Sequence, residues 1–351
     1  MRSGRTTPYD DDARSTASSS VRAVGNSAPT SAVRVTVRVR PAMEGTRGGE
    51  ECIEVSPADA TLTLEQGEGR APRSMRFTSV HDRQTSQQDF FERCGIVDLV
   101  EAALDGYTST VFAFGQTGSG KTFTMSGKAA ESREAPRRPE RGAQDGLMQR
   151  AARRLYTDLE AREREHGVKY TVRSTFLEIY NEQVHDLIEP HVGAALAVRG
   201  SSASGFYVED LAVVQCRGLA DLEYVINKGL ERRVSRHHQL NQHSSRSHAV
   251  FSVYLDVTEP GAATPARYGR LSLLDLAGSE NVRLSQSAGG GLKEAGQINK
   301  SLFALGQVDT HTHLYPYICL SIYLAVYLPI CLSIDRSIYI YIQLQLHLKN
   351  I

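Results

Sequence analysis

Gly115-Gln116-Thr117-Gly118-Ser119-Gly120-Lys121-Thr122 follows directly on the apolar run Val111 to Phe114, and this junction constrains the fold more than any other stretch of the chain. The octet fits G-x-x-x-x-G-K-[ST], a turn whose glycines let backbone N–H groups point inward at phosphate oxygens. A chance Lys-Thr after a Gly/Ser turn would need neither the buried-strand run before it nor the helix-compatible segment after it. In that setting Lys121 can reach β- and γ-phosphates and the Thr122 hydroxyl can ligate Mg²⁺, so a nucleoside triphosphate is the expected ligand.

The rest of the chain can carry such a site. Its 351 residues, 40% hydrophobic and 23% charged, are enough for a full α/β core of one or two domains. A formal net charge of +0 gives no global field toward nucleic acid or an anionic membrane, so binding to either would need local patches and is neither required nor excluded by charge; no nucleic-acid or membrane partner is expected. Cys52, Cys94, Cys216, Cys319 and Cys331 are scattered without C-x-x-C spacing, which indicates neither a disulfide framework nor a zinc site and fits a reducing interior. The N-terminus has no apolar h-region, so the cytoplasm is the expected compartment.

Residues 1–31 are rich in Ser, Thr, Ala and Arg and are expected to form a disordered leader. Val33, Val35, Val37 and Val39 then alternate with polar residues before Pro41, a period-two strand. Thr85 and Gln88 stand at capping-box spacing before Phe90, Phe91, Cys94, Val97, Val100 and Leu104, which predicts one amphipathic helix ended at Gly106. Lys128 to Gln144, with Pro136 and Pro139, reads as a solvated insertion, and a helix is expected over about 147–162. Strand patterns follow at Tyr170 to Tyr180, Ser252 to Val257 and Arg270 to Leu276, which argues for a layered α/β fold with helices on both faces of the sheet.

A phosphate loop alone explains binding; hydrolysis also needs residues that sense the γ-phosphate and position water. Two segments suit. Asp275-Leu276-Ala277-Gly278-Ser279-Glu280 ends an apolar strand in D-x-x-G, with the Asp able to hold Mg²⁺ through its water shell. Asn241-Gln242-His243-Ser244-Ser245-Arg246-Ser247-His248 gathers hydroxyls, a guanidinium and an amide just before a strand.

Together with the loop, these two segments resemble the kinesin motor domain. Arg38-Val39-Arg40-Pro41 is similar to the strand end at that family's adenine side, Phe176 to Glu182 to its central strand, and Glu294 to Leu302 to the start of its long helix after the second switch. The resemblance spans about residues 33–308. It implies a P-loop NTPase with a central mixed sheet flanked by helices, an ATPase that uses Mg²⁺, and microtubules (tubulin) as partner, placing the chain on the cytoskeleton. Carried over by position, Arg38, Arg40, Pro41, Gly115 to Thr122 and Phe123 would meet the nucleotide, with Phe123 where several kinesins carry His. Ser244 and Ser245 would meet the γ-phosphate, Thr122 and Ser245 the metal, and Asp275 the metal through water. Gly278 would sense the γ-phosphate, Arg246 and Glu280 would form a latch between the two switches, and Asn241 would help position water. Arg283, Lys293 and Lys300 are the cations available for tubulin. Gln149 replaces a Pro usual in the family. Two rival readings are a non-motile nucleotide-dependent microtubule-binding protein and a membrane-anchored P-loop ATPase.

After Val308 the family pattern stops, and the resemblance implies that a last strand, further helices and a neck are missing. Residues 316–339 run through six variations on a four-residue unit, Leu-Ser-Ile-Tyr and its relatives. An uncharged stretch, Leu314 to Ile334, is long enough to span a bilayer. A solenoid repeat would have a longer period. A tandem CTAT tract translates as this unit, and each variant differs from it by single-base changes within codons, so residues 309–351 are read as a translated repeat and residues 32–308 as an incomplete motor domain. Cargo, direction and oligomeric state are not written in the chain.

Overall fold

The computed structural model describes residues 33–41, 53–65, 71–130, 139–189, 195–201, 205–239, 244–279 and 338–346. The period-two run forms β1 (Val33–Val39), in which Val35, Val37 and Val39 are buried. A three-stranded antiparallel sheet follows, made of β2 (Ile53–Ser56), β3 (Thr61–Leu64) and β4 (Arg73–Arg76), and then β5 (Ser79–His81) pairs parallel with β1.

The single helix expected after Thr85 is two. The Thr85 hydroxyl is engaged by Asp82 at 2.8 Å, so the cap of α1 (Gln87–Arg93) is Ser86, whose Oγ accepts the Asp89 N–H at 3.1 Å. The helical path breaks at Gly95, φ +86, and restarts as α2 (Ile96–Leu104). There follow β6 (Thr108–Phe114), α3 (Lys121–Ser126), and α4 (Leu147–His166), which runs four residues past its expected end. β7 (Lys169–Tyr180) is one continuous strand with β8 (Gln183–Asp186) folded back on it. β9 (Val198–Ser201) and β10 (Gly205–Val208) form a separate hairpin, and β11 (Val214–Cys216) returns to β7. Last come α5 (Leu219–Gln239), β12 (Ser247–Thr258), β13 (Arg267–Asp275) and β14 (Ile338–Leu346).

The main sheet has the order β11-β7-β12-β13-β6-β14-β1-β5, with β13–β6 and β1–β5 parallel and the other pairs antiparallel, a mixed sheet as expected. Val111, Phe176, Phe251, Val253 and Leu271 form one core with Leu99, Leu155, Val225 and Ile226 from α2, α4 and α5. Residues directly opposite on neighbouring strands share a face, so Phe176, Phe251 and Leu273 lie in one row under these helices.

One expectation is corrected. The place beside β1, where the last strand was expected to be missing, is filled by β14, which pairs antiparallel with β1 from Val33↔Leu344 to Val39↔Ile338 and with β6 from Phe114↔Ile340 to Thr108↔Leu346. Residues 338–346 read IYIYIQLQL, a period-two alternation that the four-residue repeat overlapping it conceals. Their backbone satisfies edges of β1 and β6 that would otherwise face each other unpaired. The leader, residues 280–337 with the candidate span 314–334, and residues 347–351 lie outside the described residues. Among the described residues no helix is long and apolar enough to cross a membrane.

Candidate functional site

β6 delivers the phosphate loop at its carboxyl end, and α3 starts at Lys121. Gly118 (φ +78) and Gly120 (φ +107) are required by backbone angle rather than by space, since a Cβ on Gly118 would meet nothing within 4 Å. Lys121 is 6% exposed, and its ammonium donates to the Gly115 carbonyl at 2.7 Å and the Gln116 carbonyl at 2.9 Å, which holds the charge over the loop. The loop is tied to the second motif in two places: Thr122 Oγ1 donates to Asp275 Oδ2 at 2.7 Å, and the Ser279 N–H donates to the Gly115 carbonyl at 3.1 Å.

The two serine- and aspartate-bearing motifs meet as well. The Gly278 N–H donates to the Ser245 carbonyl at 2.7 Å, and the Ala277 N–H donates to His248 Nδ1 at 3.0 Å. That acceptor must be unprotonated, and burial, followed by the Arg233 charge, pushes the His248 imidazole down to about 4. Ser244 to Arg246 form a single 3-10 turn leading into β12.

Beneath the site lies a charged row. Ala249 on β12 stands opposite Asp275 of β13 on one side and Glu178 of β7 on the other, so both carboxylates share a face with a small side chain between them. Arg233 of α5, 3% exposed, reaches over that gap, 2.6 Å from Asp275 and 3.9 Å from Glu178. Glu178 also meets Arg236 at 3.0 Å and His237 at 2.8 Å. Burial alone would raise the Glu178 carboxyl, but hydrogen bonds from His237 and Ser247 and the Arg233 charge outweigh it and hold the group at about 2. Motif reading missed Arg233 and Glu178 as site residues, because no local spacing marks either.

At the other end of the loop a cavity of about 320 Å³ is lined by Arg38, Arg40, Pro41, Ser119, Gly120 and Phe123 among others. Arg38 is 8% exposed and fixed by Gln87 Oε1 at 2.8 Å, Thr124 Oγ1 at 3.0 Å and the Thr85 carbonyl at 3.1 Å. Its guanidinium stands 4.7 Å from the Phe90 ring centre and 5.7 Å from that of Phe123. Gln87, also unforeseen, bonds the Phe123 carbonyl at 2.7 Å and so ties α1 to the cavity. Gln149, in place of the usual Pro, donates to the Ser126 carbonyl at 3.1 Å.

The residues fit a magnesium–phosphate group. Asp275 Oδ1 and Ser119 Oγ are buried with no hydrogen-bond partner among the described residues, and the Thr122 hydroxyl stands beside Asp275. Among the described residues no group of three His, Cys, Asp or Glu side chains could hold a metal alone, so a cation here would draw its remaining ligands from phosphate and water. Asn241, Glu280, Arg283, Lys293 and Lys300 lie outside the described residues, and only the backbone of Ser244 is described.

Comparison with known proteins agrees with this geometry. The kinesin motor domain family matches residues 38–311. Similar relatives include the kinesin-like protein KIF12 of Mus musculus, 40% identical over 282 residues, which covers 78% of this chain and 42% of that protein. The kinesin-like protein KIN-12B of Arabidopsis thaliana is 38% identical over 284 residues, covering 79% of this chain and 21% of that protein. The chain thus spans less than half the length of either relative. Among solved structures, a fast kinesin superposes with a TM-score of 0.66 at 32% identity, covering 77% of this chain and 72% of that one. The C-terminal motor and motor homology domain of Kar3Vik1, fused to a synthetic coiled coil, gives a TM-score of 0.63 at 30% identity over 78% and 68% of the two chains.

Proposed function

The chain belongs to the kinesin motor domain family, and from that premise we propose that it hydrolyses ATP with Mg²⁺ and couples the hydrolysis to binding and movement on microtubules in the cytoplasm. The observation that carries this reading is the convergence on one point of the loop (Thr122), the first switch (Ser245) and the second (Asp275, Gly278) through hydrogen bonds of 2.7 Å. These bonds link residues far apart in sequence, which supports a shared response of loop and switches to one phosphate group. The fast kinesin that it resembles is described in terms of its ATPase mechanism and its interactions with microtubules, which supports the same reading.

Bound MgATP supplies the electrophilic phosphoryl group and the cation that offsets its charge. Lys121 would neutralise phosphate oxygens, Thr122 and Ser245 would hold the metal, and Asp275 would hold it through water. Arg233, 2.6 Å from Asp275, holds that side chain in place. The Gly278 N–H, now on the Ser245 carbonyl, is the switch group that a γ-phosphate would compete for. By position in the family motifs, Arg246 and Glu280 would form a latch between the two switches, and Asn241 would help orient the lytic water. Arg38 and Phe123 hold the base end, with Arg40 and Pro41 at its rim. Arg283, Lys293 and Lys300 would supply cations for the acidic surface of tubulin.

Replacing Glu280 with Ala tests the assignment. Fluorescent ATP-analogue binding should remain within about threefold of wild type, while microtubule-stimulated phosphate release should fall by about a hundredfold or more. Undiminished turnover in that variant would refute the latch, and absence of binding in the unmutated chain would refute the ATP site.

A further inference from the structure

The insertion between α3 and α4 leaves and returns at one point. α3 ends on Gly127 (φ +68) and α4 is preceded by Gly146; a Cβ on Gly127 would lie 2.1 Å from the Gln144 carbonyl oxygen, and one on Gly146 would lie 2.5 Å from Gly127 N. Only two bare backbones can approach so closely, and they form the stem of the insertion. Beyond the stem, residues 142–144 are exposed, yet Ala143 and Gln144 form part of the wall of the base-end cavity beside Gln87 and Phe123.

One side chain collects this segment. Arg150, 8% exposed in the first turn of α4, donates from Nε to the Asp145 carbonyl at 2.9 Å, and from Nη2 to the Gly142 carbonyl at 2.8 Å and the Ala143 carbonyl at 3.3 Å. Its Nη1 donates to Gln88 Oε1 on α1. Arg153 takes the Asp145 carboxylate and Glu223 at 3.1 Å, which anchors the same segment to α5. Gln88 is the neighbour of Gln87, which holds both Arg38 and the Phe123 carbonyl. The first turn of α1 therefore grips the cavity with one glutamine and Arg150 with the next. A guanidinium is suited to this because its planar fork satisfies several carbonyls at once, which an ammonium cannot do in fixed geometry.

We infer that Arg150 is a positioning residue that holds residues 142–145 as one wall of the base-end cavity, so that nucleotide affinity depends on a side chain outside the phosphate loop and both switches. The inference rests on the ATP reading above and adds a determinant to it. Loss of this clamp frees the wall without disturbing Lys121, Thr122 or Asp275, so binding suffers and the chemical step does not.

The test uses the full 351-residue chain with Arg150→Ala and Arg150→Lys, a fluorescent ATP analogue, and steady-state kinetics with ATP. Arg150→Ala should raise both Kd for the analogue and KM by about tenfold with kcat within about twofold, and Arg150→Lys should recover only part of the loss. Millimolar guanidinium should restore affinity to Arg150→Ala, a response that a residue serving only general stability would not give. Unchanged affinity, or equal losses in kcat and kcat/KM without guanidinium rescue, overturns the inference. Should Arg150→Ala not fold, Gln88→Ala removes one acceptor alone: faster amide exchange at residues 142–145 with weaker analogue binding supports the clamp, and unchanged exchange and binding overturn it. Failure of the wild-type chain to bind the analogue would overturn the ATP reading itself, whereas wild-type binding with an indifferent Arg150→Ala overturns the clamp alone.

Discussion

His248 shows how a single residue links the site to stability. Its ring is neutral in the fold, because burial and then Arg233 push it down to about 4, and Nδ1 accepts the Ala277 N–H. In the unfolded chain the same imidazole titrates near its ordinary 6.5. Between those values the unfolded state binds a proton that the folded state refuses, so the contribution is fully present above pH 6.5 and is lost as pH falls toward 4. The expected slope from this group is about 1.4 kcal/mol per pH unit. His248→Asn keeps an acceptor but cannot titrate; urea midpoints across the acid limb should flatten by that amount, and an unchanged limb would exclude the mechanism. The motif residues Lys121, Thr122, Ser245 and Asp275 were legible in sequence because local backbone dictates their placement. Arg233 and Glu178 were not, because their partnership with Asp275 exists only once β12 has paired with β7 on one side and β13 on the other.

At the scale of elements, alternation and helical periodicity located the long strands β1, β6, β7, β12 and β13 and the helices through α4, but not α5 or the short strands β2–β5 and β8–β11, and the errors have local causes. The apolar spacing after Thr85 continues across Gly95 and so predicts one helix, whereas a residue at φ +86 cannot continue an α-helix. Thr85 and Ser86 both offer hydroxyls at the helix start, and because Asp82 engages the first, the second is the cap. Ser86→Ala should therefore destabilise the protein by about 1 kcal/mol in urea unfolding and Thr85→Ala by less, an order that a Thr85 cap would reverse. Since α1 carries Gln87 to Arg38, the Ser86 variant should also weaken analogue binding slightly.

For the whole molecule, the sheet depends on β14. The sequence indicated the family and a mixed sheet, but the compositional oddity of the tail hid a nine-residue strand. Backbone pairing on both sides leads to a direct expectation: Ile342→Pro, opposite Val35 on one side and Phe112 on the other, should lower stability by about 2 kcal/mol or more in thermal or urea unfolding. A polar substitution that spares the amide, Gln345→Thr, should be tolerated. Melting of the proline variant at the wild-type temperature would mean that β14 does not close the sheet.

The position of β14 also sets the timing of assembly during synthesis. β1 and β6 are both complete before any part of α3 has been translated, yet the strand that joins them is read only at residues 338–346. Until then the nascent chain carries two open strand edges that can pair with any neighbouring polypeptide. The order of the sheet thus makes its closure wait until residues 338–346 have been translated.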